Sequence, residues 1–325
     1  MVENRILIGD VGATNARYAL VSPLSGGFQE ERVLLCKDYE SCESSIAAYL
    51  ELMEVSAVGG ICLAVAGPVV NGEVNFPNNP WQVSRQRLSV FFGVSQVSLI
   101  NDFEGLAFCL PHLRQADLLQ IGAVPSRSLK QENYQVGVIG PGTGLGAAGM
   151  IGRDDMQAPL VTEAGHVSFA PQTDLQVEVS RILHEQYDRV SNERVLSGHG
   201  LENIFGALRI INGLDRNGWT AAEIFFRVMS DPLAAQATAV MFEILGQVAG
   251  DFALSMGAFD GIFLGGGILQ KNQSLLLRSD FRQAFENKGR QRYLMETIPT
   301  SLITHEQPGL LGATAYAMAK FSSGR

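Results

Sequence analysis

The chain has 325 residues, of which 46% are hydrophobic and 18% charged, and its formal charge at pH 7 is −9. This length exceeds that of a usual single hydrophobic core and predicts two domains, and the composition is typical of a globular protein. The negative charge, together with the lack of a basic stripe, argues against a nucleic-acid partner, because phosphate backbones are bound mainly through clustered Lys and Arg.

The sequence gives no sign of secretion or of membrane insertion. It lacks the basic and apolar segments of a signal peptide, so we expect a cytoplasmic protein. The most apolar long segment, residues 232–257, contains Glu243 and Asp251. A bilayer span needs about twenty nearly uncharged residues, so we predict a buried helix there. With no CxxC pair, the cysteines are expected to be buried thiols without metal or disulfide; they are Cys36, Cys42, Cys62 and Cys109.

Two segments share one pattern: an apolar run, a glycine-rich turn with one threonine, and a second run of small and apolar residues. They are ILIGDVGATNARYALV at 6–21 and VGVIGPGTGLGAAGMI at 136–151. No helical pattern separates the two runs, so each segment predicts a β-hairpin. Two similar hairpins indicate duplicated halves, with a ligand in a cleft between two domains.

The remaining segments alternate between strand and helix patterns, which is typical of an α/β protein. In chain order they are a helix within 41–55, a strand in 59–70, a strand that passes into a helix at 97–110, the helix 232–256, a strand in 261–269 that ends in three glycines, and a helix over 308–320.

The two glycine-rich turns match neither common phosphate motif. A Walker A loop needs a lysine, and a dinucleotide fingerprint must open a helix. Successive backbone N–H groups in a tight turn can still form an anion nest, to which Thr14 and Thr143 would add hydroxyl donors. Asp10 would repel a phosphate unless Mg²⁺ lies between them. The alternative is an ordinary hairpin turn in which Asp10 is a turn former.

Other polar residues suggest a substrate site. Asp102 follows a strand, where α/β folds place ligands, although it could simply cap the next helix. Glu163 and His166 have a spacing that can bind metal on a helix, but Gly165 disfavours a helix. Hydrogen bonding to a polyol suits these two residues and Glu193 better than metal ligation.

Taken together, these stretches resemble the bacterial glucokinase family, the ATP-dependent group without a zinc-binding cysteine cluster. The resemblance covers nearly the whole chain in the same order, and NDF and NERVLSG are its most specific motifs. The motifs are GDVGATNAR, AGPV, NDFEGLA, GPGTGLG, EAGHVSFAP, NERVLSGHGL, FLGGGI and PGLLGATA.

The resemblance implies a two-domain actin-like (RNase H-like) ATPase fold with a cleft between the domains. Residues 1–110 and 301–325 would form a smaller α/β domain, and residues 111–300 a larger one. The reaction would transfer the γ-phosphoryl group of MgATP to the 6-hydroxyl of glucose, and the family implies a homodimer.

Site residues carry over position by position. Asp102 matches the catalytic base. The expected sugar ligands are Asn101, Asp102, Glu163, His166 and Glu193, with Asn78 in the stretch PNNPW as a further candidate. Asp10 would hold Mg²⁺ through water. The expected ATP-binding residues are Gly9, Asp10, Val11, Gly12, Ala13 and Thr14 in the first hairpin, Gly142, Thr143 and Gly144 in the second, and Gly265 and Gly266 beside the adenosine.

Departures from the family pattern concern sugar selectivity. The family often has Gly where this chain has Ala164, and Pro where it has His199. A kinase for another hexose or an amino sugar is therefore the alternative enzyme. The alternative outside enzymes is a sugar sensor on the same scaffold. Such regulators carry an added helix-turn-helix, for which a first strand beginning near residue 5 leaves no room.

Overall fold

The computed structural model describes residues 5–321 apart from 24–25, 77–78, 80, 131–132, 155 and 217. Its strands are β1 (Ile6–Val11), β2 (Asn15–Val21), β3 (Phe28–Leu35), β4 (Gly60–Val65), β5 (Glu73–Asn75), β6 (Gln82–Ser84), β7 (Val97–Asn101), β8 (Leu118–Ile121), β9 (Tyr134–Pro141), β10 (Leu145–Arg153), β11 (Met156–Thr162), β12 (Gly261–Leu264) and β13 (Thr300–Ile303). Its α-helices are α1 (Cys42–Leu52), α2 (Arg85–Phe92), α3 (Asp102–Cys109), α4 (Asp174–His184), α5 (Gly198–Ile211), α6 (Ala221–Arg227), α7 (Pro232–Met256), α8 (Gly267–Lys271), α9 (Gln273–Leu277), α10 (Phe281–Glu286), α11 (Arg292–Met295) and α12 (Pro308–Phe321).

The chain divides into two units. The first ends at Leu113 and resumes at His305, and the second runs from Arg114 to Thr304. The sequence predicts that the chain passes from the first unit to the second near residue 110 and returns near residue 300. The return comes slightly later because β13 pairs in parallel with β12 and so extends the sheet of the second unit.

The sheet of the first unit has the strand order β3-β2-β1-β4-β7. β1 is antiparallel to β2 and parallel to β4, which is in turn parallel to β7. The hairpin predicted for residues 6–21 is therefore confirmed. Successive residues of β1 face opposite sides of the sheet, as strand geometry requires. Leu7 packs in a core with Ile46 of α1, whereas Ile8 packs with Leu310 and Ala313 of α12.

The sheet of the second unit has the order β11-β10-β9-β12-β13-β8. β9 and β10 form the second predicted hairpin, and β12 is parallel to both β9 and β13. Each sheet thus combines three antiparallel strands with two parallel strands added beside the first strand of its hairpin, and the second sheet has β8 as a further edge strand, antiparallel to β13. The same design in both halves confirms the expected actin-like α/β class.

α7 is the central helix of the second unit. Asp231 accepts a hydrogen bond from the N–H of Ala234 at 2.8 Å, Pro232 is the first helical residue, and Gly257 ends the helix with φ of 62°. Within the described residues, α7 is the one helix with the length and composition of a membrane span, but 78% of its most apolar window is buried in the fold. It is therefore the core helix that the sequence predicts.

Two further predictions concern the strand before the three glycines and the four cysteines. The strand predicted in 261–269 ends at Leu264, and Gly267 begins α8, because Gly266 turns the chain with φ of 96°. All four cysteine side chains are buried, as predicted.

The returning helix α12 packs directly on α3. A Cβ added to Gly312 would lie 1.8 Å from the carbonyl oxygen of Gly105, so the two helix backbones are in contact there. α3 begins with Asp102 and α12 contains Gly309 in its first turn. This contact therefore fixes the two helix N-termini of the first unit relative to each other.

We expect Gly312→Ala to destabilise the protein. In an isolated helix the change would gain about 1 kcal/mol of propensity. Here the added methyl must separate α3 from α12, and overpacking of this kind costs about 1–3 kcal/mol or more. The denaturation midpoint in urea should fall with little change in slope. Gly27→Ala is the control, because a Cβ at Gly27 meets no atom within 4 Å. Equal midpoints for the two variants would show that α3 can move away at no cost.

Candidate active site

The first unit brings its candidate residues to one edge of its sheet. Val11 is in register with Val65, and Val65 with Asn101, so the parallel strands β1, β4 and β7 end together. Strands two places apart lie about 10 Å from each other. The turn after β1 and the start of α3 therefore occupy neighbouring positions at the carboxyl edge, where α/β sheets bind ligands.

The first turn, residues 12–14, is tight and partly open to solvent. The N–H of Gly12 donates to the carbonyl of Asn15 at 2.9 Å, and the carbonyl of Thr14 accepts from Cys36 N–H at 2.9 Å. Thr14 is exposed, whereas Gly9 and Val11 are buried inside β1. A Cβ on Gly9 would lie 2.7 Å from the Leu63 side chain. Gly9 is therefore required for packing, and the groups of this stretch that reach solvent belong to the turn and to the partly exposed Asp10.

Asp10 is held between a basic residue and a helix. Its carboxylate lies 3.8 Å from a guanidinium nitrogen of Arg17, its partner across the hairpin. On the other side, a Cβ on Gly309 would lie 2.7 Å from the carboxylate, which places Asp10 against the first turn of α12. Burial raises the pKa of Asp10, and the attraction of Arg17 opposes this shift without cancelling it.

Asn101, and not Asp102, caps α3. The Asn101 side-chain oxygen accepts hydrogen bonds from Phe103 N–H at 2.9 Å and Glu104 N–H at 3.4 Å, and its amide donates to Gly67 O at 3.0 Å. The alternative in which Asp102 serves as the helix cap is therefore wrong. Asp102 is the first helical residue, with one carboxylate oxygen 3.0 Å from Phe103 N–H. Asn101 is thus the cap of α3, and the Asp102 carboxylate lies at the carboxyl edge of the sheet.

The second turn, residues 142–144, is closed by hydrogen bonds on both sides. The N–H of Gly142 donates to Gly144 O at 2.7 Å, and Gly142 O accepts from Gly198 N–H at 2.9 Å. Thr143 at its tip is exposed. Gly265 lies against the end of β9, since a Cβ on Gly140 would be 2.1 Å from Gly265 O. The second unit thus brings Gly265 and the neighbouring Gly266 beside the second turn.

The second unit also brings together three of the predicted sugar ligands. Glu163 precedes a single 3₁₀ turn that ends at His166, with 3.8 Å between Oε2 and Nε2, and both side chains are mostly exposed. Asn192 joins their segment to that of Glu193 by donating from its backbone N–H to Val167 O at 2.9 Å. Within the described ranges, no group of three or more His, Cys, Asp and Glu side chains has metal-binding geometry. Asn78 lies outside the described residues.

Some residues of the site were not predicted from sequence. No local motif assigns a role to Arg17, although the hairpin register places it opposite Asp10. Gly309 approaches Asp10 only because the chain returns from the second unit. Glu193 accepts a hydrogen bond from Leu145 N–H at 3.0 Å, and a residue spacing of 48 gives no local signal for such a contact.

Comparison with known proteins gives one consistent result. The family model described as Glucokinase matches residues 7–320. A glucokinase of Xanthomonas euvesicatoria is 41% identical over 322 residues, covering 96% of this chain and 95% of its own. The crystal structure of a glucokinase from an Antarctic psychrotroph has a TM-score of 0.85 at 32% identity and covers 96% of this chain and 98% of its own. A ROK family glucokinase from Streptomyces griseus, in complex with glucose and AMPPNP, shares the fold with a TM-score of 0.62 at 17% identity, covering 96% of this chain and 98% of its own.

We expect Asp10→Asn to stabilise the fold at neutral pH. The pKa of Asp10 is raised in the folded chain, so between the unfolded and folded values the native state binds more protons. Stability from this group is therefore greatest at low pH and is lost as pH rises through the folded pKa. The variant should unfold at a higher urea concentration than the parent at pH 7.5, and this difference should shrink towards pH 4.

Glu51→Gln, at an exposed carboxylate of α1, is the control for this experiment and should show no such trend. A lower stability of Asp10→Asn at pH 7.5 would mean that the attraction of Arg17 outweighs the cost of burial.

Proposed function

The chain belongs to the glucokinase family and is an ATP-dependent hexose kinase, and we propose that Asp102 is the base that activates the 6-hydroxyl of glucose. The observation that carries this assignment is the placement of Asp102 at the first position of α3, at the sheet edge that also holds the turn after β1. Asn101 is the helix cap and accepts from both Phe103 N–H and Glu104 N–H, and the Asp102 carboxylate shares the first of these donors.

In the proposed reaction, the oxygen of the sugar 6-hydroxyl attacks the γ-phosphorus of ATP in line with the departing ADP oxygen. The hydroxyl proton passes to the Asp102 carboxylate as the new P–O bond forms and the bond to ADP breaks. Phosphoryl transfer needs positioning and charge neutralisation more than covalent chemistry. A positioned base contributes about 10²–10⁴-fold to such a step.

The two turns are proposed to hold the phosphates. Thr14 and Thr143 are exposed at their tips and can add hydroxyl donors to the backbone N–H groups. Asp10 fits Mg²⁺ held through water, because this ion keeps several waters and takes one or two carboxylates together with substrate phosphates. Mg²⁺ would neutralise charge on the β- and γ-phosphates. Asp10 would hold it there, with a guanidinium nitrogen of Arg17 3.8 Å from its carboxylate.

Glu163, His166 and Glu193 are proposed to bind sugar hydroxyls, together with Asn101 and Asn78. In support of this, the first two of these side chains are exposed and lie within 3.8 Å of each other. Asn101 already uses its amide oxygen for the helix cap and one N–H for Gly67, so it can offer a sugar only its remaining N–H. We also propose a cytoplasmic homodimer, in keeping with the family and with a donor that is made inside cells.

We expect Asp102→Asn to lower kcat at least about 100-fold while the dissociation constant for glucose changes little, because the amide keeps the shape but cannot accept the proton. Rates come from a coupled assay for ADP, and affinity from calorimetry. Glu104→Gln, two residues further along α3, is the matched control and should keep kcat within a few-fold. Turnover close to that of the parent in Asp102→Asn would remove the base assignment.

Rates on a panel of hexoses and amino sugars, with ATP, ADP and polyphosphate as donors, test the substrate. We expect glucose with ATP to be preferred, because a site that binds hydroxyls rejects analogues lacking one by up to about 10⁴-fold. ATP hydrolysis without sugar should be far slower than transfer, because we expect the site to be completed, and water to be excluded, only when a sugar is bound. Equal ADP release with and without sugar would contradict this, and a faster alternative sugar would establish the other hexose or amino-sugar kinase.

A further inference from the structure

We propose that Glu193 is a positioning residue for the second turn, residues 142–144, in addition to its role as a sugar ligand. The inference rests on the proposed function, which assigns this turn to the phosphates of ATP. Glu193 would then contact both the turn proposed to bind the phosphates and a hydroxyl of the sugar.

The contact with the turn is direct. Glu193 Oε2 accepts a hydrogen bond from the backbone N–H of Leu145 at 3.0 Å, and Leu145 is the first residue after the turn. A Cβ on Gly144 would lie 2.4 Å from the same oxygen, so the carboxylate rests against the turn backbone. Within the described residues, Oε1 accepts no hydrogen bond, and the partly exposed side chain can offer it to a sugar hydroxyl.

The segment that carries Glu193 holds the turn from its other end as well. Ser197 donates from its hydroxyl to Glu193 O at 2.9 Å and accepts from Gly200 N–H at 2.9 Å as the cap of α5. The next residue, Gly198, donates its N–H to Gly142 O at 2.9 Å. Residues 193–198 therefore contact both ends of the turn, and the cap of α5 fixes their conformation.

Removing Glu193 should change nucleotide affinity in one direction if the residue positions the turn and in the opposite direction if it acts only through its charge. A carboxylate beside a phosphate-binding turn repels the nucleotide, so its removal should tighten binding if charge were its only influence. If Glu193 positions the turn, its removal frees Leu145 N–H and lets the turn leave the binding conformation. The measured affinity is then the intrinsic affinity multiplied by the fraction of molecules whose turn is in the binding conformation.

The test is the dissociation constant of AMPPNP with Mg²⁺ in the absence of sugar, measured by calorimetry on the full chain. Glu193→Ala should weaken binding about tenfold or more, as expected for loss of a hydrogen bond to a charged acceptor. Glu193→Gln should bind at least as tightly as the parent, because its amide oxygen still accepts from Leu145 while the repulsive charge is gone. Glu163→Ala, the matched control, removes a carboxylate that makes no contact with the turn and should not weaken AMPPNP binding.

The outcomes separate this inference from the proposed function. Equal or tighter AMPPNP binding by Glu193→Ala would overturn the positioning role while leaving the kinase assignment intact. Weakening of the same size in Glu193→Gln would also overturn it, since the acceptor is retained there. If Glu193→Ala alone loses helical circular dichroism, Glu193→Met, which keeps the length of the side chain but not its oxygen acceptor, replaces it and should weaken AMPPNP binding to the same extent. Failure of the parent chain to bind AMPPNP or to phosphorylate any hexose would overturn both.

Discussion

Close approach of backbone to backbone is the constraint on which the site of each unit depends. In the first unit, Gly312 of α12 lies against Gly105 of α3, so the helix that begins with Asp102 is seated directly on the returning helix. In the second unit, Gly140 admits the carbonyl of Gly265 beside the second turn. Any side chain at these positions would force the elements apart by more than a core can absorb without strain. The glycines of the family motifs therefore serve packing as much as ligand access.

The two sheets apply one design twice. In each sheet, the first strand of the hairpin also pairs in parallel with a strand that comes later in the chain. The hairpin turn therefore lies beside the carboxyl end of that later strand. In the first unit this edge also receives the start of α3, and in the second it receives Gly265 and Gly266. Because a strand end exposes backbone groups that a ladder no longer uses, such edges are where an α/β protein can bind a ligand.

A carboxylate accompanies each turn, but the two are held differently. Asp10 lies in the strand before its turn and is countered by Arg17 across the hairpin, yet its pKa remains raised because burial dominates. Glu193 comes from a distant segment and is held by a backbone N–H next to its turn. Burial of the charged Asp10 carboxylate lowers the stability of the fold, and carboxylates with perturbed pKa values of this kind are common at functional sites. Glu193 connects its turn to the segment that carries the proposed sugar ligands.

The sequence by itself determined the fold class and the elements with strong local signals, but not elements such as β3, β11 or α4. Two apolar runs on either side of a glycine-rich turn were sufficient for each hairpin, and the Asp-Pro start and glycine end were sufficient for α7, because these signals are local. The position of Asp10 just before the first glycine-rich turn and that of Asp102 just after a strand were equally readable. The tertiary structure decided which residue caps α3, where β12 ends and what touches Asp10 and Leu145. The last two outcomes depend on contacts between residues far apart in the chain, Gly309 with Asp10 and Glu193 with Leu145. Local pattern carries no information about such contacts, since the free energy that selects them comes from packing of the whole unit.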